Sequence, residues 1–343
     1  MSWRRFQYVL IAGVVVCGCG GRSTEPPDST PPGQTPSTPS TPSTARVTEY
    51  VIPRASAFPH DPAIAPDGTV WYTGQRKGVL GILDPRTGKV DEVPLGQDSA
   101  PHGVIVGPDG AAWITDGGQN AIVRYDPRSK QLKSWPLPAD TGYANLNTAA
   151  FDKKGRIWFT GQTGFHGRLD PAANDMKVWK SPLGRGPYGI TATPSGDIYY
   201  VSLAGNHLAK VNLDTGEATV IRPPTANNGA RRVWADSKGD LWISEWGSGN
   251  LSRYRPSDGS WKAWRPAGDK AQTYSVWVDE ADKVWITQWA TNAIMRFDPV
   301  TETFQSYPSD KPNASVRQML GRRGEAWGAE SSLDRLVVVR YGR

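Results

Sequence analysis

Cysteine is nearly absent from this sequence of 343 residues. The chain has only two cysteines, Cys17 and Cys19, and both precede any segment that could fold. The folded part therefore has no disulfide framework, no cysteine-ligated zinc site and no thiol nucleophile.

The sequence also lacks a hydrophobic run long enough to span a bilayer. Its longest apolar run, "VLIAGVVVC" from Val9 to Cys17, follows Arg4 and Arg5, and this charge order and length are typical of a secretory signal. "VCGC" resembles the lipobox of bacterial lipoproteins, which predicts a signal peptide over residues 1–18 and a lipid on Cys19. The alternative is an ordinary signal peptide cut nearby. We expect an exported lipoprotein, anchored to a membrane only through its lipid, in the periplasm or at the cell surface.

Large apolar side chains are missing from the next segment, residues 19–45, which is rich in Pro, Ser and Thr. Such a composition favours an extended, disordered linker. The formal net charge is only +6, and the basic residues are scattered, so nothing indicates a nucleic-acid partner. We expect a monomer.

The sequence does contain a clear internal repeat. A turn that usually ends in Gly is followed by an aromatic residue in "PDGTVW", "PDGAAW", "KKGRIW", "PSGDIY", "SKGDLW", "EADKVW" and "RRGEAW", at intervals of 41 to 45 residues. Each copy contains short strand-like runs broken by Gly and Asp-Pro. The pattern predicts an all-β, seven-bladed β-propeller over residues 46–343. The seventh copy lacks an outer strand, and "VTEYVIP" at residues 47–53 could supply it and close the ring.

Two aligned positions of the repeat are candidates for function. The first lies at the start of the innermost strand, where the side chains would line the channel: His60, His102, Asn147, Tyr188, Arg231, Tyr274, and Val316 or Arg317. The second lies three residues after the aromatic: Gly74, Asp116, Gly161, Ser202, Glu245, Gln288 and Glu330.

The histidines divide into two pairs. His60 and His102 are one repeat apart, so they should face the same space, where a neutral imidazole can accept a proton. The alternative is that they only hydrogen-bond the backbone at a strand start. His166 and His207 follow the second strand of their copies, and we expect them at the surface or in turns.

"PHGVIVGPDGAAWITD", "WISEWGSGNLSRY" and "WITQWATNAIMRFDP" resemble the repeats of the streptogramin lyase (virginiamycin B lyase-like) family over residues 46–343. The resemblance implies a seven-bladed propeller that opens a cyclic ester by Mg²⁺-assisted elimination. It implies His102 and His60 as catalytic residues, and Asp116, fourteen residues after His102, as a metal ligand. The family's glutamate two residues before the second histidine is replaced by Ala100.

A second departure from the family concerns the last two repeats. There the resemblance implies two histidines, but the chain has Tyr274 and Val316 or Arg317, although Glu330 matches the family's trailing acid and is a further candidate metal ligand.

Two other functions remain open. One is a metal-dependent hydrolase like the gluconolactonase-type propellers, in which Asn147 would help to hold the metal. The other is a non-catalytic propeller that binds a small molecule or cyclic peptide. In either case Asn147, Tyr188, Arg231, Tyr274 and Glu245 are candidate ligand-binding residues, although Glu245 could instead cap a turn. Trp246 and Trp289 would complete an aromatic, cationic cup.

Overall fold

The structure, a computed structural model, describes residues 45–342. The predicted signal peptide, Cys19 and the linker up to residue 44 lie outside the described residues. No helix within residues 45–342 is both long enough and apolar enough to cross a membrane.

The described residues form seven sheets, each of four antiparallel strands. The first strand is β1 (Arg46–Val51). The strands of the first three blades follow in chain order: β2 (Pro59–Ile64), β3 (Val70–Gly74), β4 (Val79–Leu83), β5 (Val90–Pro94), β6 (Pro101–Val106), β7 (Ala112–Asp116), β8 (Ala121–Asp126), β9 (Gln131–Pro136), β10 (Leu146–Phe151), β11 (Ile157–Gly161), β12 (Phe165–Asp170) and β13 (Asp175–Lys180). A short 3₁₀ helix, Ala139–Thr141, precedes β10.

The remaining strands follow the same pattern. They are β14 (Pro187–Ala192), β15 (Ile198–Ser202), β16 (His207–Val211), β17 (Ala218–Ile221), β18 (Ala230–Ala235), β19 (Leu241–Glu245), β20 (Leu251–Arg255), β21 (Ser260–Trp264), β22 (Thr273–Val278), β23 (Val284–Gln288), β24 (Ala293–Asp298), β25 (Thr303–Pro308), β26 (Val316–Arg322), β27 (Glu325–Glu330) and β28 (Arg335–Arg340).

The sheets are arranged as the blades of a closed ring. The inner strands β2, β6, β10, β14, β18, β22 and β26 contact one another in turn, and β26 contacts β2. The seventh sheet has the order β1-β28-β27-β26, so the N-terminal strand β1 occupies its outer edge. The predicted all-β, seven-bladed propeller is confirmed.

The repeated aromatic residue packs between neighbouring blades. Trp71, Trp158, Trp242, Trp285 and Trp327 are among the largest fully buried side chains. In several blades an acid near the preceding turn accepts the indole N–H, as Asp152 does from Trp158 at 2.8 Å. This hydrogen bond satisfies the polar atom of a side chain that is otherwise apolar. The repeat signature is therefore a packing signature, and the residues that differ between blades lie elsewhere.

Candidate functional site at the mouth of the channel

A register shift in every inner strand sets the positions of the channel residues. It follows the first residue of the strand, as between Pro59 and Pro62 in the first blade. Because a bulge adds a residue, two successive residues of each strand lie at the channel. We call the first set the upper ring: His60, His102, Asn147, Tyr188, Arg231, Tyr274 and Arg317. We call the second set the lower ring: Asp61, Gly103, Thr148, Gly189, Arg232, Ser275 and Gln318.

The structure resolves the ambiguity in the seventh blade. Val316 pairs with Glu330 as Pro59 pairs with Gly74, so Arg317 is the upper-ring residue. The predicted upper ring thus gains a second guanidinium beside Arg231.

A buried hydroxyl on the second strand holds the bulge in place. Thr73 Oγ1 accepts the backbone N–H of Asp61 at 3.2 Å and donates to the backbone carbonyl of His102, in the next blade, at 2.8 Å. Thr115, Thr160 and Ser244 make the same pair of contacts in their blades. The backbones of four upper-ring residues are therefore each held by the blade before: His102, Asn147, Tyr188 and Tyr274.

His60 and Asp61 form a dyad in the first blade. Nδ1 of His60 lies 2.6 Å from Oδ1 of Asp61, and both side chains are buried. Across the channel Arg232 donates to the same carboxylate oxygen at 3.3 Å. The carboxylate fixes the proton on Nδ1, which leaves Nε2 of His60 as a free proton acceptor.

His102 has the opposite tautomer. Its ring lies 3.8 Å from that of His60, centroid to centroid, and its Nε2 is 3.1 Å from Nδ2 of Asn147. With Oδ1 of Asn147 placed 3.2 Å from Thr148 Oγ1, Nδ2 of Asn147 donates to Nε2 of His102. The proton of His102 is therefore on Nδ1, a buried atom that has no hydrogen-bond partner. In this arrangement His102 carries an unpaired donor and His60 a free acceptor.

Both imidazoles are held neutral. Burial lowers the pKa of His60 well below its usual value, and the guanidiniums of Arg317, Arg232 and Arg231 lower it further. Burial, followed by His60, lowers the pKa of His102. Burial raises the pKa of Asp61, and Arg232 opposes that shift. The base form of His60 is thus present at neutral pH.

The opposite side of the channel mouth is aromatic and cationic. The hydroxyls of Tyr188 and Tyr274, from blades that are not neighbours, lie 2.9 Å apart. Arg231 donates to the Tyr188 hydroxyl at 3.0 Å, and Arg317 donates to the Tyr274 hydroxyl at 3.2 Å. The guanidinium of Arg231 also lies over the Tyr274 ring, 3.9 Å from its centroid, which is a cation–π contact.

These guanidiniums separate the pKa values of the two tyrosines. Burial opposes ionisation of Tyr274, but Arg231, Arg232 and Arg317 outweigh it and lower the pKa of Tyr274 to about 8. Burial and the neighbouring Tyr274 raise the pKa of Tyr188 to about 12. Tyr188 is therefore the group that keeps its proton.

Half-buried side chains cover this part of the mouth. Arg231 lies 4.8 Å from the Trp246 ring centroid, and Arg317 lies 5.2 Å from that of Trp289. Trp289 stacks on Tyr274 at 4.9 Å. Trp246 and Trp289 thus border the arginines, as the predicted cup requires.

The donor set does not fit Mg²⁺. His60, Asp61 and His102 form the one group of three or more acidic, histidine or cysteine side chains within residues 45–342 whose ligand atoms lie within 4.8 Å of one another. Magnesium prefers an octahedral shell of oxygen ligands. This group offers one carboxylate, already bonded to His60 and Arg232.

The acids predicted as metal ligands lie outside this group. Asp116 is fully buried and accepts backbone N–H groups from Ala100, Gly118 and Gln119 at 2.9 to 3.0 Å. Glu330 accepts from Ser309 at 2.8 Å, and burial raises its pKa to about 7. Both acids are thus engaged by neighbouring loops, and the metal site at Asp116 and Glu330 stays a prediction.

Glu245, a predicted ligand-binding residue, has the same kind of environment as Asp116. It is fully buried, and its carboxylate accepts from Ser252 at 2.6 Å and from Asn228 at 3.4 Å. The alternative stated for it, a cap within its own blade, agrees with these contacts.

His166 and His207 are not at the surface, contrary to expectation. They lie on β12 and β16 with 1% and 0% exposure. His166 stacks on Trp179 and Tyr200, and its Nε2 lies 2.8 Å from the carbonyl of Gly216. The turn after the second strand is short, so both histidines lie at the start of the third strand, where their side chains are buried.

Asp61 and Arg232 are the site residues that the sequence comparison missed. Aligning one residue per blade overlooked the lower ring, although "HD" and "RR" each place a second charged or polar residue at the start of an apolar strand. Two successive polar residues in a buried strand indicate a bulge, because regular alternation would turn one of them into the core.

Known proteins share this fold. A model of the "Virginiamycin B lyase family" matches residues 40–265, well over half of the chain. A crystal structure of virginiamycin B lyase from Staphylococcus aureus superposes with a TM-score of 0.80 at 19% identity, covering 87% of this chain and 100% of that one.

Two further solved structures superpose on this chain equally well. A streptogramin B lyase structure has a TM-score of 0.80 at 20% identity, with 87% of this chain and 98% of that one covered. A catalytically inactive histidine-to-alanine variant of the S. aureus lyase, in complex with quinupristin, gives 0.80 at 19%, with 87% and 100% covered. No curated protein sequence matches the chain significantly. The structural likeness establishes the fold, and the family model establishes that the chain belongs to the Virginiamycin B lyase family.

Proposed function

We propose that this protein is a lyase-like enzyme that opens an ester by elimination, with the Asp61–His60 dyad as the base. The observation that carries the proposal is the 2.6 Å contact between Asp61 and Nδ1 of His60, which leaves Nε2 free beside three guanidiniums. A carboxylate that orients an imidazole and stabilises its protonated form is a recurrent arrangement for proton transfer. His102 is a donor in this proposal, whereas the sequence left both histidines as possible proton acceptors.

The remaining groups fit the charge that develops in such a reaction. Nε2 of His60 takes a proton from the carbon next to a carbonyl, and the carbonyl oxygen gains negative charge. Arg231, Arg317 and Nδ1–H of His102 stabilise that charge. The electron pair then forms a carbon–carbon double bond as the carbon–oxygen bond of the ester breaks. No water is consumed, so opening a ring gives a linear product of unchanged mass.

Positive charge in this site comes from the protein itself. The family resemblance implies Mg²⁺, but the donors here suit a divalent cation poorly, and guanidiniums occupy the surroundings. The proposed steps therefore use only side chains of this protein.

The experiment is a mass-spectrometric assay of the purified protein with two cyclic esters, virginiamycin S and quinupristin. The expected result is a linear product of unchanged mass, formed equally with and without a chelator. A product heavier by one water would replace elimination with hydrolysis. No conversion by protein whose melting transition shows it to be folded would contradict the proposal.

A second candidate, a non-catalytic binding propeller, is favoured by one observation. Arg231 and Arg317 cover the mouth in stacked contacts with Trp246 and Trp289, an arrangement that suits ligand capture. It predicts that His60→Asn leaves every ligand affinity unchanged and that no ester is converted.

A further inference from the structure

We infer that the channel mouth binds a carboxylate anion, in the place where the family resemblance implies a divalent cation. The inference names the substrate class for the site of the proposed function and rests on that function only for the reaction step. The geometry of the free protein carries the binding itself.

Positive charge at the channel mouth exceeds negative charge. Guanidiniums of Arg231, Arg317 and Arg232 lie 3.9, 5.6 and 5.9 Å from the Tyr274 ring centroid. Among residues 45–342, Arg231 and Arg317 form no ion pair, and Arg232 pairs only with Asp61. With both histidines neutral, the mouth has an excess of positive charge that an anion would compensate.

Several buried N–H donors at the channel mouth lack hydrogen-bond acceptors. Arg232 is only 1% exposed, yet its Nε and Nη1 have no hydrogen-bond partner. The same is true of Nε of Arg231, Nε of Arg317 and Nδ1 of His102. Buried donors are costly when unpaired, and a carboxylate is an acceptor-only group whose planar shape matches the guanidinium fork.

A small cavity lies below the upper ring. Its lining includes Asp61, Thr148, Gly189, Arg232 and Gln318. The side chain of Arg232, two of whose N–H donors are unpaired, therefore borders this cavity.

A carboxylate also suits the proposed reaction. Held by guanidiniums, it withdraws electrons from the adjacent carbon and stabilises the charge that forms when His60 removes the proton from that carbon. The C–H electron pair becomes the double bond, and the bond from the β-carbon to its oxygen breaks. Where that oxygen leaves as an alkoxide, the Tyr188 hydroxyl supplies its proton. The step needs no oxidant, reductant or water.

The test is calorimetric titration of the full chain at neutral pH with two pairs of probes that differ mainly in charge: acetate against acetamide, and benzoate against benzamide. We expect at least one carboxylate to bind tenfold or more tightly than its amide. Arg231→Gln and Arg317→Gln should each weaken that binding about tenfold. Arg323→Gln, an exposed arginine in the turn between β26 and β27 at the other end of the seventh blade, is the matched control and should bind as the wild type does.

Melting temperatures of all variants establish that they fold, and Arg317→Lys, which keeps the charge without the fork, should bind with intermediate affinity. The inference is overturned if no carboxylate binds, if carboxylates and amides bind equally, or if Arg323→Gln weakens binding as much as Arg231→Gln. Carboxylate binding without ester conversion would support the inference and contradict the proposed function. Ester conversion without a preference for carboxylates would do the reverse.

Discussion

The two halves of the upper ring occupy equivalent backbone positions but have opposite chemistry. Blades one to three contribute His60, His102 and Asn147, which are neutral; the two imidazole rings are in contact, and His102 is hydrogen-bonded to Asn147. Blades four to seven contribute Tyr188, Arg231, Tyr274 and Arg317, which combine aromatic rings with positive charge. The repeat fixes where a side chain lies, and its variation divides the mouth into a half with a free proton acceptor and a half with excess positive charge.

One ion pair joins these halves. Asp61 lies beneath the histidine half and Arg232 beneath the arginine half, and they meet across the channel at 3.3 Å. Through this contact the base and the charge-stabilising groups share one electrostatic network.

The largest expected effect separates the halves by function. His60→Asn removes the free proton acceptor, and we expect kcat to fall by about 10²- to 10⁴-fold, the range for loss of a general base. The affinity for carboxylates should change little, because the guanidiniums remain. His166→Asn, which alters an equally buried histidine away from the channel, is the control and should retain kcat. Equal loss in both variants would show that the effect is structural.

The next effect breaks the link between the halves. Asp61→Asn leaves Arg232 buried without its acid partner, and removing one member of a buried ion pair costs about 3–5 kcal/mol. Urea unfolding should show a loss of this order in the free energy of unfolding, and a bound carboxylate should restore part of it. A loss below about 1 kcal/mol, within the range of exposed ion pairs, would show that the pair is not the link described here.

The smallest expected effect is a pH dependence of the carboxylate affinity in the arginine half of the ring. Tyr274 faces Arg231, Arg232, Arg317 and the hydroxyl of Tyr188, and its pKa is lowered to about 8. Above that pH its phenolate neutralises part of the positive charge, so the affinity for carboxylates should fall as pH rises through 8, while below it the affinity stays constant. Calorimetry across this range should show the decline in the wild type but not in Tyr274→Phe. An unchanged affinity in the wild type would contradict the assignment.

The sequence predicts the propeller fold and the upper ring of the site, but not the lower ring. The period of the aromatic residue specifies seven blades, because each Trp or Tyr packs at the same level between sheets. Alignment of the repeats then finds the upper ring, since each inner strand starts at the same level. Asp61 and Arg232 escape this reasoning because the bulge adds a residue, and their contact joins positions 171 residues apart.

The hydrogen-bond partners of the predicted acids lie in loops between strands. The repeat pattern does not specify the path of these loops. Asp116 has the spacing that the family resemblance attaches to a metal ligand, yet the backbone of Ala100 and of the turn at Gly118 and Gln119 occupies its carboxylate. Spacing along the chain fixes the position of an acid in its blade, whereas its partners depend on the path of the neighbouring loop.

The most direct test of the central claim compares a cation with an anion at the same site. Mg²⁺ and benzoate are titrated separately, by calorimetry, into wild-type protein that has been dialysed against a chelator. We expect saturable binding of benzoate, unaffected by added Mg²⁺, and no binding of Mg²⁺ at the channel. Saturable binding of Mg²⁺ that disappears in Asp61→Asn, with no binding of benzoate, would contradict it.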